Sequence, residues 1–268
     1  MRRLTLPAVL LLGWAVLALA APWFDLHPDR IDLTRILARP GSAALLGYDD
    51  LGRPLWDRLV MGARSSLLVA AAVVSLSALL GVAVGVSSAY LGGLWDRCAM
   101  LVIDIVLAFP GILLAIALAG VLGPGLDNVV IALCSVGWVG YARLARGQVL
   151  TLKHRDHVLA ARALGAGQWR IMTRHLLPLI AAPLIVEASF SIAAVVLAEA
   201  GLSFLGLGIQ PPAASWGSMI RDGTRYMLVA PHMVLVPGLA LLLVVLAVNL
   251  LGDRLRDRLD VRGRGEWL

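Results

Sequence analysis

Three carboxylates, Asp104, Glu187 and Glu199, stand inside long apolar runs of this 268-residue chain. A charge at mid-membrane costs roughly 2.5 to 3.5 kcal/mol on insertion scales, so such groups must face protein or water, or be protonated. Two roles fit them: a polar pathway or proton relay through a bilayer, or hydrogen bonds between helices near an interface. Other reactive groups offer less. Lys153 is the only lysine, in Thr151-Leu152-Lys153-His154, whereas a phosphate-cradling loop needs glycines followed by Lys and then Ser or Thr. No ATP site of that kind can be built. The five histidines, His27, His154, His157, His175 and His232, lack His-x-x-x-His or Cys/His ligand spacing. His154 and His157, three apart beside Asp156, read as a solvated basic loop rather than a metal site. Cys98 and Cys134 both lie in apolar runs and suit neither a disulfide framework nor a Cys-x-x-Cys site. With no nucleophile elbow and no acid-base pair in a soluble cleft, the sequence predicts a conduit with no catalytic, cofactor-binding or metal-ligating residues of its own.

The elements that must position these carboxylates follow from composition. Hydrophobic residues make up 60% of the chain and charged residues 15%, with a mean hydropathy of +0.86. Soluble domains run at roughly 45 to 50% apolar and 25% charged, so this is an all-α polytopic membrane protein. Its net charge of +6 orients it in the bilayer and does not call for nucleic acid. A helix needs about 20 apolar residues to cross, and six runs qualify: Leu6 to Trp23, Ser66 to Leu91, Cys98 to Gly123 with Pro110 inside it, Asn128 to about Tyr141 and on toward Val149, Pro178 to Gly208, and His232 to Gly252. The first run, behind Arg2 and Arg3 and ending Ala18-Leu19-Ala20-Ala21, also fits a cleaved signal peptide. Trp14 within it and five further spans favour an uncleaved helix.

The layout is then a first span with an outer segment over residues 1–65, a transmembrane domain over 66–252 and a cytoplasmic tail over 253–268. With the amino terminus inside, the inner segments hold Arg2, Arg3, Arg97, Arg143, Arg146, Lys153, Arg155, Arg162, Arg170, Arg174 and five arginines from Arg254 to Arg264. The outer segments hold eight arginines (Arg30, Arg35, Arg39, Arg53, Arg58, Arg64, Arg221, Arg225), offset by eight aspartates (Asp25, Asp29, Asp32, Asp49, Asp50, Asp57, Asp127, Asp222). The bias follows the positive-inside rule and places both termini in the cytoplasm. Gly81 and Gly85 predict close helix packing, and Pro110 and Pro183 predict kinks. Trp216 reads as an anchor at the membrane surface, and the charged stretch Gly52 to Arg64, with Arg53 and Arg58, as a docking face for an outer partner.

The inner stretch from Lys153 to Pro178 is more than a connector. Ala160, Ala161, Ala163 and Leu164 favour helix, and Gly165 and Gly167 break it. A second short helix is predicted from about Gln168 to Leu176, with Pro178 opening the next span. Arg155 with Arg162, and Arg170 with Arg174, give each helix a basic face. The result is a rigid knob projecting from the membrane, with Ala160 and Ala161 small enough for a partner backbone to come close.

This loop resembles the coupling motif of ABC importer permeases, read as Glu-Ala-Ala, three residues, Gly, nine residues, an apolar position, one residue, then Leu-Pro. Ala160, Ala161, Gly165, Leu177 and Pro178 match at the required spacings. Leu159 stands where the family usually has Glu, and His175 where many members have Ile; the polar contact of the family's Glu is the part left open. Gly52-Arg53, Arg58 and Gly62 to Leu67, then Glu199 to Gly208 with Pro211-Pro212 and Ser215-Trp216-Gly217, then Asn249 to Asp253 with Leu255-Arg256-Asp257, resemble the dipeptide/oligopeptide/nickel permeases, second (C-type) of their two permease types. Val261 stands where Pro is common.

The resemblance implies a type I ABC permease fold of six transmembrane helices with a cytoplasmic coupling-helix loop, in an inner-membrane importer. Its partners would be a second, homologous permease, two ATPase subunits that bind ATP and Mg, an extracytoplasmic solute-binding protein and membrane lipid, with no nucleic acid. Peptide is the leading cargo and nickel or a metal chelate the rival. From another class, a proton-coupled secondary transporter would use Asp104, Glu187 and Glu199 as its relay.

Overall fold

The structure, a computed structural model, describes residues 5–41 and 44–259; Arg2, Arg3, Val261, Arg262 and Arg264, invoked above, lie outside the described residues. Ten helices are found among them: α1 Thr5–Ala20, α2 Leu55–Leu91, α3 Gly93–Leu107, α4 Gly111–Leu122, α5 Leu126–Leu152, α6 Asp156–Ala163, α7 Gln168–Arg170, α8 Leu177–Phe204, α9 Trp216–Thr224 and α10 His232–Leu259. A π-helical turn, Ile171–Leu176, joins α7 to α8. The stretch 168–204 is therefore one helical body, and the separate short helix expected up to Leu176 is instead the foot of a span. Pro178 lies at the start of α8. It supplies no N–H and crowds the carbonyl four residues back, and the wide turn falls immediately before it.

α2 begins eleven residues before the expected Ser66. Asp57, Arg58 and Arg64 lower the mean hydropathy of its first turns, yet Leu55, Val60 and Ala63 are buried there, so packing carries the helix past what an apolar-length criterion finds. α10 likewise runs two turns beyond Gly252. The divisions placed at 65/66 and 252/253 thus fall inside continuous helices.

Pro110 does more than kink the third run. α3 and α4 meet at 86° around Ala108–Pro110, because the residue before a proline disfavours the α conformation. Pro183, by contrast, sits inside an unbroken α8. Five helical stretches are individually long and apolar enough to cross a membrane, six if the bent pair counts as one crossing. Its ends settle how it counts. Asp96, at the start of α3, is held by Arg146 near the carboxyl end of α5 (Nε–Oδ1 2.7 Å, Nη2–Oδ2 2.8 Å), while α4 leads directly into the start of α5. Twenty residues of α5 separate those points, about 30 Å at 1.5 Å per residue. The bent pair therefore crosses, and the bundle has six crossings.

α2 and α5 pack along one another as the central pair. Gly81 and Gly85 allow it: a Cβ on Gly81 would collide with the Trp138 carbonyl oxygen, and one on Gly85 with that of Ala142. α8 and α10 close the bundle, with α1 against α10 and α2. At one end, here the knob end, lie α6, α7 and the π turn. At the other, the shelf end, lie residues 24–41 and 44–54 and the segment 205–231 with α9.

Candidate coupling knob and membrane carboxylates

The knob is built from residues that the helix period sorts into two faces. α6 ends in a Schellman motif: Ala166 N–H donates to Ala161 O (3.0 Å) and Gly165 N–H to Arg162 O (3.0 Å), with Gly165 at φ +82°, a conformation that costs a residue with a Cβ about 1 to 2 kcal/mol. Nothing lies within 4 Å of a Cβ built there, so the demand on Gly165 is conformational and not steric. On the inner face, Val158 is fully buried and Ala161 is 9% exposed; Val158 packs with Val86, Val149, Leu152, Ile171 and Leu176. On the outer face, Leu159, Ala160, Ala163 and Leu164 are exposed, with Trp169 beyond them. The expectation that both Ala160 and Ala161 meet a partner is therefore corrected: Ala160 faces out, and Ala161 faces the chain's own bundle. Leu177 and Pro178 are exposed on the first turn of α8, joined to the knob by the π turn.

Two polar ties fix the knob to the end of α2. Arg162 Nη2 donates to the Tyr90 hydroxyl (3.2 Å), with its guanidinium 5.5 Å from the ring centroid. Lys153 Nζ donates to Ala89 O (2.9 Å), satisfying a carbonyl in the last turn of the helix. Sequence reasoning identified Lys153 and Arg162 only as basic residues; their partners lie 64 and 72 positions away, beyond any local spacing rule.

The three membrane carboxylates are not brought together. Asp104 is exposed on α3, and Glu187 is half-buried near the middle of α8. Glu199 is fully buried and lies twelve residues from Glu187 on the same helix, about 18 Å away. It accepts hydrogen bonds from Ser66 Oγ (3.1 Å) and Ser203 Oγ (2.8 Å), so Glu199 takes the interhelical role, pinning α8 to α2 at the shelf end. Ser203 stands at i+4 and was legible from spacing; Ser66, 133 residues away, was not.

At the shelf end Arg53 and Arg58 are 8% and 3% exposed and turn inward. Both converge on Asp49, at 2.7 Å and 3.4 Å, and the Asp49 carboxylate also accepts from the backbone N–H groups of Leu51 and Arg53. Burial, and the neighbouring Asp49, push the Asp50 carboxyl above its usual range. This geometry does not present the two guanidinium groups to an outer partner; they organise the segment from within. Trp216 is likewise no surface anchor. It is 2% exposed, its indole N–H donates to Leu59 O (3.0 Å), and its ring lies 6.4 Å from that of Trp14.

The family profile described as the binding-protein-dependent transport system inner membrane component matches residues 79–265. A Brucella suis biovar 1 protein named as a peptide transport system permease is 44% identical over 255 residues, 95% of this chain and 86% of that protein. A glutathione transport system permease of Pectobacterium atrosepticum is 43% identical over 85% of this chain and 76% of that protein. An Escherichia coli K12 protein named for D,D-dipeptide transport is 38% identical over 97% and 87%. Among solved structures, inward-facing MetNI, a methionine ABC transporter, superimposes with a TM-score of 0.61 at 21% identity, covering 76% of this chain and 97% of that one. At that identity the likeness is one of fold.

Proposed function

The chain belongs to the family of binding-protein-dependent transport system inner membrane components, and from that premise we propose that it is the C-type permease of an ATP-driven importer of short peptides. The knob end faces the cytoplasm, where the arginine excess lies, and both termini lie on that side. A second, homologous permease, two ATPase subunits and an extracytoplasmic solute-binding protein complete the assembly. ATP with Mg bound on the ATPase subunits supplies the closing motion. This chain receives it: an ATPase surface seats the exposed face of α6, formed by Leu159, Ala160 and Leu164. Displacement of α6 is carried to α2 through Arg162–Tyr90 and Lys153–Ala89, and to α8 through the continuous helix across the π turn. Helices α2 and α8 therefore move with the knob.

The observation that carries the reading is this two-faced knob, locked inward by Val158 and Ala161 and apolar outward, on a bundle of six crossings. Peptide as cargo is supported by relatives named for peptide, D,D-dipeptide and glutathione transport; the nickel reading draws no support from those names. A carboxylate relay is disfavoured by the separation of Glu187 from the buried Glu199. The test is uptake of a labelled dipeptide by the complex in vesicles. Ala160→Trp places bulk on the outer face, and Gly165→Leu strains the turn; each should abolish ATP-driven uptake and reduce co-purification of the ATPase subunits. Near-normal uptake in both overturns the assignment.

A further inference from the structure

Glu187 is the half-buried membrane carboxylate, and it has no structural task among the described residues. It lies ten residues into α8, about 15 Å from the start of that helix. Unlike Glu199, it is half-buried, and it pairs with no cation among the described residues. It faces α5 at Gly140, where an added Cβ would stand 3.4 Å from its Oε1 and meet nothing else within 4 Å. Beside it lies a second unspent group. Tyr141, next to Gly140 on α5, is 2% exposed, and its hydroxyl makes no hydrogen bond among the described residues. A buried hydroxyl without a partner keeps its full desolvation penalty, and a carboxylate in the membrane interior adds its own. Two such costs at one place indicate a site completed by something from outside the chain.

The surroundings indicate what. Toward the shelf end lies a cavity of about 710 Å³ whose walls include Leu133, Val136, Gly137, Ala194, Val195 and Ala198, and helix spacing puts Gly137 and Gly140 on one face of α5, and Glu187, Ser191, Ala194 and Ala198 on one face of α8. Ser191 is one turn from Glu187, and Ala194 about 10 Å along. A dipeptide spans about 7 Å, so an ammonium at Glu187 leaves its side chains at the mouth of an apolar chamber. We propose that Glu187, with the Tyr141 hydroxyl and Ser191, forms a subsite on the translocation path that takes the protonated amino group of the peptide while the cavity receives its side chains. The carboxylate supplies the charge, and the hydroxyls supply acceptor lone pairs for the remaining N–H bonds. The inference rests on the peptide reading above and adds a substrate group and a site to it.

The experiment uses the complete complex in vesicles, with radiolabelled Ala–Phe as probe, for the unaltered protein, Glu187→Gln and Glu187→Asp. Glu187→Gln keeps size and removes charge; it should lower initial uptake about tenfold while the partner permease co-purifies in unchanged amount. Glu187→Asp keeps the charge and should hold uptake within about threefold. Uptake by Glu187→Gln within twofold of the unaltered complex overturns the subsite. Loss of the partner permease from the purified Glu187→Gln complex also overturns it, assigning the carboxylate to an ion pair between permeases. If the unaltered complex takes up no dipeptide with ATP present, the peptide reading itself falls and this inference with it.

Discussion

Ala160 and Ala161 are adjacent and chemically identical, and only the helix period gives them different tasks. Ala161 lies on the inward face of α6, so Ala161→Trp forces an indole against the chain's own helices. Overpacking of that kind costs about 1 to 3 kcal/mol. The expected result is a lower melting temperature of the purified permease, whereas Ala160→Trp, on the open face, leaves melting unchanged and acts on ATPase association alone. Equal melting of the two variants would contradict the orientation of α6. The sequence could not separate them, because neither alanine carries a polarity that marks inside from outside. The same blindness, with the opposite sign, affected Arg53 and Arg58. Charge was read as exposure, but Asp49 draws both arginines inward. Asp49→Ala leaves two buried guanidinium groups without their carboxylate, a loss of about 3 to 5 kcal/mol where a buried pair is broken. It should make residues 24–54 sensitive to protease added to right-side-out vesicles; resistance equal to that of the unaltered protein would show that Asp49 does not organise the segment.

At the scale of elements, runs of spanning length were legible because a bilayer imposes one length and one composition on every crossing. The helix ends were not. α2 opens at Leu55 on turns that carry Asp57, Arg58 and Arg64, where tertiary contacts outweigh hydropathy, and α10 continues past Gly252 on charged, largely exposed turns. The proline signals were half informative: the backbone rule identifies Pro110 and Pro183 alike, and only the surroundings decide that the first breaks a span while the second rides within one. Glycine spacing carried further. Gly81 and Gly85 read as a packing face, and they are where α2 meets the backbone of α5 at Trp138 and Ala142. Gly85→Val therefore drives a branched side chain into the Ala142 carbonyl, which a backbone in mid-helix cannot yield. The central pair should separate, reducing folded, detergent-stable protein several-fold at equal synthesis. Retention of a single sharp gel-filtration peak at the unaltered yield would show that α2 and α5 do not approach this closely.

For the molecule as a whole, function depends on which end meets the ATPases, and that reduces to counting crossings. α3 and α4 are individually about 22 and 18 Å long, and at 86° to each other they could be mistaken for a loop that enters and leaves by one face. Two contacts argue otherwise. Asp96 at the start of α3 is gripped by Arg146, one turn and a half before α5 ends, while the chain leaving α4 is tied at Gly125 to Gly208, the N–H donating to the carbonyl oxygen at 3.1 Å, at the shelf end of α8. A pair anchored at opposite ends of the bundle has crossed it. Under the proposed function, six crossings place the two ends of the chain on one side, and the positive-inside rule, applied to the basic residues of the knob, assigns that side to the cytoplasm. Compartment-specific reporters fused near Lys153 and after Trp267 should therefore report the cytoplasm, and those fused after Pro54 and after Gln210 the opposite compartment. A reporter after Leu122 is the decisive one, because a re-entrant pair returns it to the side of Gly92, where α3 begins, whereas a broken crossing delivers it to the side of Gln210. If it reports the cytoplasm, the bundle has five crossings, the termini part company, and the knob loses the orientation that coupling requires.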